Sequence, residues 1–250
     1  MSLSPQPSKL PGVGTIIGVM SGKGGVGKSF VASALAITLA KMGKRVGLLD
    51  ADICSPDMFR MLGIKNKTLP TSDNKIVPVE KYGVKVVSMA GLCTSDDEPV
   101  AWRGPILSKI IQKLLKESLW GELDMLIIDF PTGTPDVTLN ILQNVLVDGV
   151  ILVTTPQELC VTATRRTATM ASMLKVPLIG VVENMRGEIF GEGGGGRLAE
   201  VYGIPLLGSI PLRKQIITLN DQGASPLLSM QELEIVFGKI ARMMVERIFV

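Results

Sequence analysis

TIIGVMSGKGGVGKS, residues 15–29, is a β-branched run that breaks into glycines and ends in a lysine and a serine. It reads as strand, phosphate loop and helix start, in that order. From Gly22 the residues fit G-x-x-x-x-G-K-[ST], in which glycines let consecutive backbone N–H groups wrap a phosphate chain without Cβ clashes. The expected nucleotide contacts are therefore Gly22, Lys23, Gly24, Gly25, Val26, Gly27, Lys28, Ser29 and Phe30. Lys28 would reach the β- and γ-phosphates, Ser29 would give its hydroxyl to Mg²⁺, and the helix beginning there would point its positive end at the anion. The flanks agree, since residues 15–20 have strand length, residues 30–42 place Val31, Leu35, Leu39 and Met42 on one helical stripe, and Gly43 closes the helix.

Lys23 stands directly after the first glycine of the loop, an unusual place for a cation. KGGVGKS resembles the deviant phosphate loop of the MinD/ParA/nitrogenase-iron-protein class, which implies that Lys23 crosses a dimer interface to the partner's nucleotide. A cation delivered only on dimerisation would neutralise charge that develops in phosphoryl transfer. The alternative, a solvated loop lysine, stays open.

Composition narrows the chemistry. With 46% hydrophobic residues in 250, the chain fills one large core, and at 4% aromatic that core is aliphatic. There are 26 basic and 23 acidic residues, a balance that points to neither a nucleic-acid nor a membrane partner. The absence of histidine removes imidazole bases and serine–histidine triads, so acid–base work falls to carboxylates or water. Cys54, Cys93 and Cys160 are too few and too scattered for a disulfide framework, which suits the cytoplasm. Nothing resembles a signal peptide, and no apolar run reaches membrane-spanning length.

Along the chain, residues 1–14 hold three prolines and read as a flexible tail before a single domain over 15–250. Strands are expected at 45–49, 84–89, 125–129, 149–154, 178–183 and 206–210, with a hairpin near 76–79. Helices are expected at 105–119, 136–146, 159–174, to about 202, and 230–249. The last puts Leu233, Phe237, Ile240 and Met244 on one face and reads as core packing. Unbroken apolar strands alternating with helices define an α/β fold, a doubly wound and mostly parallel sheet covered on both faces. Right-handed crossovers then bring every strand's carboxyl end to one edge.

A phosphate loop needs an acid near Mg²⁺, and MLIID ends a hydrophobic strand in Asp129. Gly133, four residues on, could meet the γ-phosphate with its N–H. Asp50 and Asp52 follow the strand after the loop helix, which would normally be its neighbour in the sheet. Asp50 is assigned to Mg²⁺ through water and Asp52 to orienting the attacking water, while Asp57 caps the short helix after Pro56. Asn184 could donate to and accept from the adenine edge, and Pro211 and Leu212 could sandwich the ring; asparagine as a mere turn former stays open.

These blocks resemble the Mrp/ApbC-type P-loop ATPases, a family of iron–sulfur cluster carriers. The resemblance covers roughly 18–223 and rests on SGKGGVGKS (21–29), DADICSPD (50–57), DDEPVAWRGP (96–105), WGELDMLIIDFPTGTPD (120–136), TTPQE (154–158), VVENM (181–185) and FGEGGGGRLAE (190–200). It implies ATP and Mg²⁺ as cofactors, a homodimer closed through the nucleotide face, and iron–sulfur apoproteins as clients. Two departures stand out. Thr132 follows Pro131 where the family usually has a second proline, and residues 185–191, MRGEIFG, hold no cysteine where the family carries its C-x-x-C pair. Such a pair supplies the soft thiolates a cluster demands, so the departure from the family pattern suggests a scaffold or regulatory member beside a cysteine-bearing paralogue. The competing reading is a MinD/ParA-like positioning or partner-regulating ATPase.

Overall fold

In the computed structural model, which describes residues 7–53, 55–65, 73, 75–91, 104–132 and 135–249, the apolar runs are strands and the amphipathic runs helices. The strands are β1 (Val13–Ser21), β2 (Val46–Asp50), β3 (Val79–Lys81), β4 (Val84–Ser88), β5 (Leu123–Asp129), β6 (Gly149–Thr154), β7 (Leu178–Arg186) and β8 (Leu206–Pro211). The helices are α1 (Lys28–Lys41), α2 (Met58–Met61), α3 (Gly104–Lys116), α4 (Pro135–Asn144), α5 (Glu158–Met173), α6 (Gly194–Tyr202), α7 (Lys214–Asp221) and α8 (Gln231–Ile248).

The strands form one sheet in the order β3-β4-β2-β5-β1-β6-β7-β8. Every pairing is parallel except β3 with β4, a hairpin turned at Tyr82 and Gly83, both at positive φ. This hairpin lies later in the chain than the 76–79 expected. Along β1 the side chains alternate between two cores. Ile17 and Val19 share one core with Val31 and Leu35 of α1 and Phe237 and Ile240 of α8, while Ile16 and Met20 share the other with Ile111 of α3, Ile141 of α4 and Val161 of α5.

Three expectations need correction. β2 is not the neighbour of β1: β5 lies between them, pairing Val19 with Asp129 on one side and Asp50 with Asp129 on the other. The α1 helix has no single buried stripe. From Phe30 to Leu39 every side chain is buried, because α8 covers the flank that the sheet leaves, with Phe30 edge-on to Phe237 at 5.7 Å, and Met42 is exposed beyond the end. The tail expected over 1–14 is shorter. Ser8 exchanges backbone hydrogen bonds with Asn144 and Leu146, and Leu10 is buried, so its latter half belongs to the domain.

Candidate functional site

The carboxyl ends of β1, β2, β5, β6, β7 and β8 share one edge, and the loop from Gly22 to Gly27 closes the centre of it. Gly25 (φ 78°) and Gly27 (φ 83°) take the left-handed conformation that turns successive N–H groups inward. Gly22 is wedged against α5. Its N–H donates to Thr164 Oγ1 at 3.3 Å, and an added Cβ would run into the Ala163 carbonyl. Gly22→Ala is therefore expected to cost about 1–3 kcal/mol in overpacking and to weaken nucleotide binding, both readable in one thermal-shift titration with ATP.

Past the loop, the Lys28 ammonium is buried and donates to Asp129 Oδ1 at 2.6 Å. The Ser29 hydroxyl donates to Asp129 Oδ2, also at 2.6 Å, so both carboxylate oxygens are held by the first two residues of α1. Asp129 is fully buried, and its position is fixed by the β1–β5 and β2–β5 register.

Asp50 lies beside it, also buried. Its carboxylate accepts from Ser88 Oγ at 2.8 Å, the Asp52 N–H at 3.1 Å and the Met58 N–H at 3.3 Å. The last contact revises the cap assignment: Asp57 precedes α2 without a side-chain cap, and Asp50 satisfies the helix instead. Burial, then the neighbouring Asp129 charge, pushes Asp50 up to about 7. Because an unfolded aspartate titrates near 3.8, the folded chain holds the extra proton between those values. Stability should thus fall as pH rises from about 4 to about 7, and Asp50→Asn should flatten that slope in urea unfolding across the window.

Asp52 is half-buried, accepts the Ser55 N–H at 3.3 Å, and is raised by burial against the opposing pull of Lys28. Lys23 is exposed and its ammonium makes no ion pair among the described residues. Gly24 faces the Thr132 hydroxyl, which brings the segment after β5 against the loop. Gly133 lies outside the described residues, as do Cys54 and Cys93.

The expected base-binding residues lie at the carboxyl ends of the neighbouring strands β7 and β8. Asn184 is buried and donates its amide to Val26 O at 2.8 Å, tying the end of β7 to the phosphate loop. The Leu212 N–H donates to Arg186 O at 2.9 Å. Pro211 alone of the three lines a cavity of about 530 Å³, together with Arg186, Gly187, Gly191 and Arg213.

Sequence reading passed over two further groups. Thr164 anchors Gly22, as described. Glu183, fully buried, accepts the Gly195 N–H at 2.7 Å and the Gly193 N–H at 3.3 Å at the start of α6. The glycine run is the signal that could have located it: a Cβ on Gly194 would strike the Pro156 carbonyl, and one on Gly195 would lie 2.7 Å from Glu183 Cβ.

The donor set is made of hard oxygens, the Ser29 hydroxyl and the Asp129 and Asp50 carboxylates, converging beside a buried lysine and a ring of loop amides. It fits Mg²⁺ and a nucleotide phosphate chain. Fold and site together define a P-loop NTPase of the doubly wound parallel class.

A family model described as ParA, NUBPL iron-transfer P-loop NTPase, matches residues 12–248, and the chain belongs to that family. An iron-sulfur cluster carrier protein of Aquifex aeolicus is 40% identical over 91% of this chain. The chain spans 65% of that relative's length. A protein of the same description from Pseudomonas fragi is 43% identical, covering 93% of this chain and 89% of its own. Among solved structures, a nucleotide-binding protein of Archaeoglobus fulgidus in complex with ADP superposes with a TM-score of 0.73 at 37% identity, covering 86% of this chain and 88% of that one.

Proposed function

We propose that the chain is a Mg²⁺-dependent ATPase that works as a nucleotide-switched homodimer in iron–sulfur protein assembly in the cytoplasm. The observation that carries this reading is the Lys28–Asp129–Ser29 cluster at the mouth of the phosphate loop, with Asp50 beside it. Lys28 and the loop N–H groups bind the phosphate chain, and Ser29, Asp129 and Asp50 hold Mg²⁺, the aspartates through water. Bound Mg²⁺ would neutralise charge on the phosphate oxygens. Asp52 orients the attacking water, and Lys23 from each subunit reaches the partner's nucleotide when the dimer closes, which accounts for an exposed cation with no ion pair among the described residues.

The cargo is an iron–sulfur cluster or an apoprotein that receives one. Cys160, the described cysteine, is buried with its thiol 3.8 Å from Gln157 Oε1, and among the described residues no group of three or more metal-ligating side chains occurs. The cysteine-free stretch at 185–191 favours a scaffold or regulatory member working with a cysteine-bearing paralogue.

Two measurements on the purified protein test the reading: phosphate release from Mg-ATP, and iron and sulfide counts after anaerobic reconstitution. Hydrolysis with a colourless protein supports the scaffold form, and a stoichiometric cluster supports a carrier. Absence of nucleotide-stimulated phosphate release would remove the ATPase reading altogether.

A further inference from the structure

Away from the nucleotide edge, α5 and α6 leave a groove of about 520 Å³ between them. Its α5 wall carries Thr162, Arg165, Arg166 and Met173, and its α6 wall carries Val201 and Tyr202. The spacing on α5 follows one face of a helix, and Leu159 continues that face toward the amino end. Exposure along it is high for apolar side chains: Leu159 is 74%, Met173 79% and Val201 56% accessible. Scattered single residues of this kind need no explanation, but Met173 and Val201 face one another across the groove and Leu159 extends the apolar strip beyond its end.

Charge distinguishes the groove further. Arg165 and Arg166 are exposed, and neither guanidinium has an ion pair among the described residues. No carboxylate lines the groove. At its amino-terminal end Arg197 pairs with Glu158 at 3.4 Å, so those charges answer each other and leave the arginine pair as the net field. The Tyr202 hydroxyl is already committed, donating to Arg165 O at 2.8 Å and lying 2.9 Å from Thr169 Oγ1, which fixes the two helices at the groove's spacing.

The geometry points to a docking site for an acidic amphipathic segment of a partner protein, its apolar side chains between Met173 and Val201 and its carboxylates on Arg165 and Arg166. Arginine forks match carboxylates in planar, bidentate fashion, and an apolar floor flanked by cations selects against basic segments. A nucleic acid would gain from the two arginines but would leave the methionine and valine surfaces unused.

The test uses the isotope-labelled full chain and a synthetic helical peptide with glutamates on one face and leucines at i, i+4 and i+7. Saturable amide shifts confined to 159–173 and 197–202 are expected, weakening with added salt. Arg165→Glu with Arg166→Glu should weaken binding about tenfold or more, as should Met173→Asp, whose exposed position leaves the fold intact. The same peptide with lysines for glutamates should produce no shifts there. The inference is overturned if the glutamate peptide gives no saturable shifts in the groove, or if the lysine peptide binds as well. Duplex DNA moving the same amides, or self-association of the chain through them, would also overturn it. Because none of these residues belongs to the phosphate site, ATP hydrolysis by the variants separates this result from the ATPase reading.

Discussion

Lys28→Ala should abolish tight ATP binding and destabilise the chain in the same stroke. The buried ammonium answers a fully buried Asp129 carboxylate at 2.6 Å, and Asp50 adds a second carboxyl one strand away. Removing one partner of a buried pair leaves an uncompensated charge, at a cost of about 3–5 kcal/mol. Urea unfolding measures that loss, and equilibrium binding of a fluorescent ATP analogue measures the other. Lys28→Met combined with Asp129→Asn should recover part of the stability, since neither charge is then left alone, without recovering binding. A Lys28→Ala protein as stable as the parent and still retaining nucleotide would show that the buried pair matters to neither property.

Asp52→Ala separates the two roles that Lys28 combines. It makes no hydrogen bond to Lys28 or Ser29, and its carboxylate is held by the backbone N–H groups of Ser55 and Thr132, so binding of ATP should change little. Hydrolysis should fall by about 10²–10⁴, the range that a positioned acid–base group supplies. Burial already raises Asp52 toward the pH at which a base works best. Single-turnover phosphate release with saturating Mg-ATP is the measurement; an unchanged rate would assign the attacking water to another group.

How far the sequence could be read depended on whether local pattern or tertiary choice set each feature. The phosphate loop was legible because its glycines, lysine and serine are covalently consecutive, so geometry follows from order. Asp129 was legible because a strand of aliphatic residues can end at only one place. The insertion of β5 between β1 and β2 was not, since strand order depends on which crossovers pack, and it is this insertion that sets Asp50 against Asp129. α7 escaped notice because Ile216 is its one buried residue, too little to make a helical stripe. Asn184 was singled out for the adenine edge, but the hydrogen bond from its side-chain amide to Val26 O depends on how β7 meets the loop, which no residue spacing specifies.

One consequence of the Lys28–Asp129–Ser29 cluster concerns affinity rather than chemistry. The side chains that the phosphates and the metal would use are already satisfied, each by a short bond to the same carboxylate. A nucleotide therefore binds by winning a competition against an internal anion, and its observed affinity is the difference between two strong attractions. Whatever changes the charge beside Asp129, a proton on Asp50 among them, alters the rival and so tunes nucleotide affinity without touching the nucleotide.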